Sequence, residues 1–270
     1  MELLLIIAKL PRSSYYYHLK QWKEPQKYQR EREEIRKISE ENNGWYGYRR
    51  VTYELRNRGL KLNHKLVMKL MKQENLTCKL RAKKYRSYRG KAGKIVPNLL
   101  NREFKADTPN SKWATDVTEF KVHSQRLYLS PIMDLFNNEI ISFSLSKSPN
   151  FSQITKMLND AFQKIPDNTH LILHSDQGWQ YQMKLYQGML QDKGIRQSMS
   201  RKGNCYDNSV IENFFGILKS EFFHNHTFDS VEQFSSKLVE YIDYYNNRRI
   251  KVKLNGLSPV QFRTQSIFPS

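Results

Sequence analysis

The chain has 270 residues, enough for one substantial core and a smaller module. It carries 45 Lys and Arg against 26 Asp and Glu, with a sequence pI of about 9.8, so a polyanionic partner is expected. Its two cysteines, Cys78 and Cys205, lie far apart, and His170 and His174 have no Cys pair nearby, which speaks against a disulfide framework and a zinc module and for a reduced, cytosolic compartment.

The positive charge is concentrated at the front. Residues 1–103 hold 26 Lys and Arg against 10 Asp and Glu, whereas residues 104–270 hold 19 against 16. A basic module followed by a near-neutral globular one is the pattern of a nucleic-acid-binding protein. The opening apolar run, residues 3–8, is shorter than the ~20 residues that span a bilayer. It also lacks a basic flank and a cleavage site, so neither a membrane anchor nor a signal peptide is expected.

Residues 1–25 read as a helical lead, with an apolar start that should pack against something and a proline stop at Pro11. A charged helix over 28–43 follows, ending at the Asn43-Gly44 cap signal. A second helix is expected over 46–58, closed by Gly59. Asn63 is a candidate N-cap for a third, whose apolar stripe is Leu66, Val67, Leu70 and Met71. Lys65, Lys69 and Lys72 lie on its outer side. Short helices with tight turns and a basic face over 26–78 suggest a helix-turn-helix-like DNA-binding region; a small bundle with a solvated face is the plain alternative.

Residues 79–94 hold eight Lys or Arg and no acid, interleaved with Tyr85 and Tyr88. The segment 79–103 reads as a basic linker, with Lys83, Lys84 and Arg86 as candidate phosphate contacts. From residue 104 the pattern changes. Strands are expected over 112–120, 126–136 and 139–147, with a turn at Asn137-Asn138. A helix over 151–164, a strand over 171–175, a helix over 182–193 and a strand over 195–199 follow. Helices over 208–223 and 231–247 complete the series. This order argues for an α/β domain over 104–270 built on a mixed sheet, with a helical extension at its end.

Three acids stand out. Asp116 alternates with Thr118 on a predicted strand, Asp176 follows the apolar strand Leu171 to Ser175, and Glu212 opens a helix 36 positions later. Phosphoryl transfer on DNA needs an activated nucleophile, a stabilised leaving oxygen and neutralised phosphate charge, which two divalent ions held by a few carboxylates supply. Taken singly, each acid has a structural reading: an edge strand for Asp116, a turn for Asp176, and a capping box from Ser209 to Glu212. Glu119, Asp134 and Asp207 are expected to serve strand, turn and cap duties. Lys219, two helical turns after Glu212, should share its face, about 10.5 Å along the axis. Arg249, in the basic end of the last long helix, is a further candidate DNA contact.

The motifs Trp113-Ala114-Thr115-Asp116-Val117-Thr118, His174-Ser175-Asp176-Gln177-Gly178 and Gly203-Asn204-Cys205-Tyr206-Asp207-Asn208-Ser209 leading to Glu212 resemble the D-D-E signature of retroviral-integrase-type transposases. The nearest pattern is that of the bacterial insertion-sequence-three family. Tyr244-Tyr245-Asn246-Asn247-Arg248-Arg249 and Gly44-Trp45-Tyr46-Gly47-Tyr48-Arg49-Arg50 also fit that family, so the resemblance covers nearly the whole chain. It implies a ribonuclease-H-like integrase core with a mixed five-stranded sheet and flanking helices, the first strand central and the fourth beside it, after a small basic all-α helix-turn-helix-like domain. It implies Asp116, Asp176 and Glu212 as catalytic metal ligands for Mg²⁺ or Mn²⁺, two ions in all, with Lys219 on the DNA. The implied reaction is nicking at element ends and attack of the freed 3′-OH on target DNA. The implied partners are double-stranded DNA, further copies of the chain and the product of an upstream reading frame, in the bacterial cytoplasm at the nucleoid. Many relatives carry a His where Ile250 stands, so no role is transferred there. A DNA-binding partner inactive by itself and a plain metal-dependent nuclease are the competing functional readings.

Overall fold

A computed structural model describes residues 5, 11–23, 28–78 and 94–267, and the chain divides into two units, Met1–Lys79 and Leu80–Ser270. The first holds α1 (Arg12–Lys23), α2 (Gln29–Glu41), α3 (Tyr48–Asn57) and α4 (His64–Gln73). Asn63 caps α4 as expected, its side-chain oxygen accepting from Lys65 N at 2.9 Å. Gly59 ends α3 at φ +83°, a conformation that a Cβ would strain, and Leu60 N donates back to Leu55 O at 2.8 Å.

Ile35 and Ile38 of α2, Val51 and Leu55 of α3, and Val67, Leu70 and Met71 of α4 bury one face of each helix. Charge locks the packing at the rim. Glu74, just past α4, pairs with both Arg32 and Arg36 of α2 at 2.6 Å, and Arg58 pairs with Glu34, Glu41 and Glu54. Arg32 and Arg36 of α2 and Arg58 just past α3 are thus neutralised within the unit. Lys65, Lys69 and Lys72 on α4 are exposed and make no ion pair among the described residues.

The second unit is organised by a ten-residue strand, β3 (Gln125–Asp134). On one edge it pairs antiparallel with β4 (Ile140–Ser146). On the other it pairs with two shorter strands in turn, β2 (Thr118–Val122) and β1 (Lys112–Thr115). Beyond β1 lie β5 (Ile172–Ser175) and then β6 (Arg196–Met199), both parallel additions. The five lanes expected from sequence therefore contain six strands, because the first lane breaks at Asp116-Val117. Its β1 half is interior and buried; its β2 half is an edge, alternating buried Thr118, Phe120 and Val122 with exposed Glu119 and Lys121. The hairpin from β2 to β3 turns at His123-Ser124, with His123 at φ +52°.

Among the described residues, the helices that accompany the sheet are α5 (Phe151–Phe162), α6 (Lys184–Asp192), α7 (Ser209–Leu218), α8 (Val231–Asn247) and α9 (Pro259–Ile267). Trp113, Ile132, Ile141, Leu173 and Met199 of the sheet pack with Ile154, Met157 and Leu158 of α5 and Leu190 of α6 in one core. On β2, Phe120 meets Phe234 of α8 at 5.3 Å and Phe223 at 5.1 Å between ring centroids.

The expected helix over 208–223 is divided. α7 ends at Leu218, and Lys219–Phe223 forms a π turn. That turn carries Glu221, which accepts two bonds from the Arg249 guanidinium, at 2.7 and 2.6 Å, and one from Tyr241 at 2.8 Å. Both charged side chains are 1% exposed. This corrects the reading of Arg249 as a DNA contact: its fork is consumed by a buried bidentate pair. Removing one partner leaves the other charged and buried. Arg249→Ala should therefore lower unfolding stability by about 3–5 kcal/mol in a urea titration, while exposed Lys253→Ala should change it by less than about 0.5 kcal/mol.

Candidate active site

The strands β1 and β5 run parallel, with Lys112 opposite Ile172, Trp113 opposite Leu173 and Ala114 opposite His174. Two residues further along each chain stand Asp116 and Asp176. Both follow the last residue of their strand, at the carboxyl ends of neighbouring parallel strands, where open α/β sheets form a binding crevice. Each carboxylate is fixed by a backbone donor from its own loop. Asp116 Oδ1 accepts from Val117 N at 2.7 Å, and Asp176 Oδ1 accepts from Gly178 N at 2.8 Å. A Cβ at position 178 would stand 2.9 Å from Asp176 Oδ1 and 2.6 Å from Gln180 Nε2, so a larger residue there would make one or both of those side chains shift.

Burial pushes the Asp116 carboxyl well above its usual range, the charge of Asp176 pushes it further, and Glu212 adds to the push; Val117 N–H and the Lys219 ammonium oppose it. Asp176 is raised by burial, against the Gly178 N–H. The fold thus brings Asp116, Asp176, Glu212 and Lys219 into one electrostatic neighbourhood. The charge of Asp176 acts on Asp116 more strongly than that of Glu212 does. Among the described residues no three His, Cys, Asp or Glu side chains stand at the spacing of a closed metal cage.

Glu212 lies in the first turn of α7, whose Ile211, Phe214, Phe215 and Leu218 are buried. Asn208 is the N-cap residue and makes no side-chain capping bond, so Ser209 is the first helical residue and does not supply the cap half of a capping box. The loop before α7 is set by Asp207, which is no cap either. Its wholly buried carboxylate accepts five hydrogen bonds: one from Asn98, one from Arg102, and three from the backbone and guanidinium of Arg201. The guanidinium of Arg201 holds it far below the usual carboxylate range. His174, on β5 two residues before Asp176, is also buried; its Nδ1 lies 2.8 Å from Ser198 Oγ, and burial lowers its pKa to about 4, so it is neutral.

The other predicted residues divide. Lys219 begins the π turn, with Nζ 5.5 Å from the centroid of the Phe120 ring. Lys65 and Lys69 are exposed on α4. Lys83, Lys84 and Arg86 lie outside the described residues. Asp134 does serve a turn, accepting from Phe136 N at 3.0 Å and Asn110 N at 2.9 Å, and exposed Glu119 pairs with Arg126 across the β2–β3 ladder at 3.6 Å. Sequence reasoning missed Asp207 as a hub, since its partners Asn98 and Arg102 lie more than a hundred residues away. It also missed Tyr181 and Tyr186, whose apolar spacing reads only as core.

The sheet order and the placement of its helices define an integrase-type catalytic core, and the comparisons agree. Family models described as "Integrase core domain" match residues 106–205 and 212–267, and one described as "HTH-like domain" matches residues 27–84. The chain is 51% identical, over 100% of its length and 95% of the relative's, to a protein of Escherichia coli (strain K12) named as transposase InsK of insertion sequence element IS150. It is 35% identical to transposase InsF of insertion sequence IS3A from the same strain, over 82% of this chain and 78% of that one. A solved intasome of simian T-cell lymphotropic virus, in complex with PP2A regulatory subunit B56 gamma, shares the fold at 16% identity. Its TM-score is 0.52 over 87% of this chain and 76% of that chain.

The protein is a polynucleotidyl transferase of the integrase-core class. Within that class the chain belongs to the insertion-sequence-three family of transposases. No helix among the described residues is long and apolar enough to cross a membrane.

The two kinds of buried acid carry opposite pH signatures. Asp207, depressed in the fold, contributes stability above the ordinary carboxylate range of about 4, and that stability is lost as pH falls toward its folded value. Asp116, raised in the fold, opposes folding at neutral pH, and the penalty lifts as pH falls through its raised value. In thermal unfolding without divalent cations, Asp207→Asn should be less stable than the parent at pH 7, with the gap closing below about pH 4. Asp116→Asn should be more stable than the parent at pH 8, with the gap closing on acidification.

Proposed function

We propose that the chain is the catalytic subunit that nicks the ends of its own insertion element and joins the freed 3′-OH to target DNA, with Asp116, Asp176 and Glu212 as the catalytic carboxylates and metal ligands. The observation that supports this reading is the pair of buried acids side by side at the β1 and β5 ends. Burial raises both acids, the charge of Asp176 raises Asp116 further, and neither has an ion-pair partner at contact distance among the described residues. Each has only one oxygen engaged by a backbone N–H. Uncompensated hard oxygen donors of this kind fit Mg²⁺ or Mn²⁺. Two such ions, when bound, would neutralise charge on the phosphate and favour attack by a hydroxyl oxygen.

The remaining roles belong to the chain. Asp116 and Asp176 hold fixed positions because their strands and backbone donors are fixed. Glu212 reaches from a helix, and its weaker influence on Asp116 fits a ligand that closes when DNA arrives. Lys219 offers a cation to a phosphate on the same face. Lys65 and Lys69, with Lys83, Lys84 and Arg86 of the basic segment, give a sequence-independent hold on double-stranded DNA. The chain is expected to work as an oligomer on DNA at the bacterial nucleoid, together with, or fused to, the product of an upstream reading frame.

The test is strand joining of a synthetic element end with Mg²⁺, with and without the upstream product. Asp176→Asn should reduce joining below about one-thousandth of the parent rate, while DNA affinity stays within about twofold. Joining retained by that variant would remove Asp176 from the chemistry. Cleavage without joining by the parent would favour a plain nuclease, and activity appearing only with the upstream product would favour a partner-dependent subunit.

A further inference from the structure

The π turn that follows α7 is built around a buried charge. His224 N donates to Lys219 O at 2.8 Å, five residues back, so the turn holds one residue more than an α-helical one. Its last three side chains, Glu221, Phe222 and Phe223, all find partners on other elements, although three successive residues of an α-helix fan over about 200°. Phe222 meets Phe234 and Tyr241 of α8, at 5.7 and 5.4 Å between ring centroids, and Phe223 meets Phe120 of β2 at 5.1 Å. Glu221 is buried on the Arg249 guanidinium and the Tyr241 hydroxyl. Arg249 is fixed in its turn, its N–H donating to Tyr244 O at 2.7 Å at the end of α8.

Such a pair adds little stability, because desolvating two charges offsets most of their attraction, and apolar side chains of similar volume commonly serve as well. What it supplies is direction: the planar fork of Arg249 fits the Glu221 carboxylate in one bidentate geometry. The other end of the same turn is Lys219. Its carbonyl is taken by His224 N, and its ammonium stands 5.5 Å from the centroid of the Phe120 ring. Phe120 lies four residues beyond Asp116, and its ring is braced by Phe223 of the turn itself. α7, which leads into the turn, packs on β1, the strand that Asp116 follows. The Lys219 charge is accordingly among those that act on Asp116.

We propose that Glu221 and Arg249 are positioning residues for Lys219: their buried pair holds the π turn in the geometry that presents the Lys219 ammonium to a DNA phosphate beside Asp116 and Asp176. The inference rests on the reading of Lys219 as a phosphate contact at that site. A Lys ammonium is a point charge on a flexible four-carbon stem, so its place depends on the backbone that carries it. A misplacement of about 1 Å at a reacting group can cost about a hundredfold in rate. The pair acts through Lys219, so losing the pair and losing Lys219 should be one and the same loss.

The experiment is a double-mutant cycle in strand joining by the full chain at saturating DNA, with Mg²⁺ and the upstream product present. It compares the parent, Lys219→Ala, an apolar variant with Glu221→Met, Tyr241→Phe and Arg249→Met together, and that apolar variant with Lys219→Ala added. The apolar set fills a similar volume and leaves no buried charge or hydroxyl unpaired. Circular dichroism checks its fold, and calorimetric titration with Mn²⁺ checks the acid pair. Lys219→Ala and the apolar set should each slow joining about tenfold or more. Adding Lys219→Ala to the apolar set should cost less than about twofold further, because one interaction cannot be lost twice. Mn²⁺ affinity of the apolar set should stay within about twofold of the parent. Equal losses from Lys219→Ala in both backgrounds, parent-like joining by the apolar set, or loss of its Mn²⁺ binding would overturn the positioning role and leave the Lys219 reading standing. Parent-like joining by Lys219→Ala would overturn that reading and this inference together. Should the apolar set fail to fold, Arg249→Lys, which keeps the charge and loses the fork, enters the same cycle.

Discussion

The parallel register between β1 and β5 is the constraint on which the rest of the second unit depends. Pairing Ala114 with His174 leaves Asp116 and Asp176 level with one another at the ends of their strands. A slip of one residue would turn one of the two carboxylates to the opposite face. The register is held from both sides: Trp113 and Leu173 are fully buried in the core, and β3 and β6 flank the two strands. The first lane stops being a strand at Asp116, the same level at which β5 gives way to the Asp176 loop. Both backbones are released from the ladder there, and Val117 N and Gly178 N become free to hold the two carboxylates.

Holding like charges together in a desolvated crevice opposes folding, and the surrounding structure offsets it with well-satisfied polar groups elsewhere. Asp207 fixes the loop that leads to Glu212 with donors from Asn98, Arg102 and Arg201. The Glu221–Arg249 pair ties the end of α8 to the π turn that begins with Lys219. Asn246 of α8 bonds both the N–H and the carbonyl of Ile140 at 2.9 Å, docking that helix on β4. Strain at the acid pair and satisfaction around it are the division expected of a site kept ready for a cation.

Local chemistry was legible in the sequence. Asn63 announced a cap, Asn137-Asn138 a turn, and the period of residues 231–247 a helix with those bounds. The position of Asp176 at a strand end followed from the apolar run that stops there, whereas Asp116, expected inside a strand over 112–120, stands at the break between β1 and β2. What the sequence could not convey was pairing at a distance. Arg249 reads as one of two exposed arginines until Glu221, 28 residues earlier, is found inside its fork. Asp207 reads as a helix cap until Asn98 and Arg102 close on it. Simple periodicity carries the helix from Ser209 straight on past Lys219, where the chain instead makes a π turn, and Tyr181 looks like any core aromatic until its hydroxyl is found without a hydrogen-bond partner among the described residues.

The most direct test of the central claim is anomalous scattering from crystals of the full chain soaked in Mn²⁺. The account predicts a manganese peak between Asp116 and Asp176, with an oxygen from each at about 2 Å. Full-occupancy manganese at other residues, with the crevice between those two strand ends empty, would contradict it.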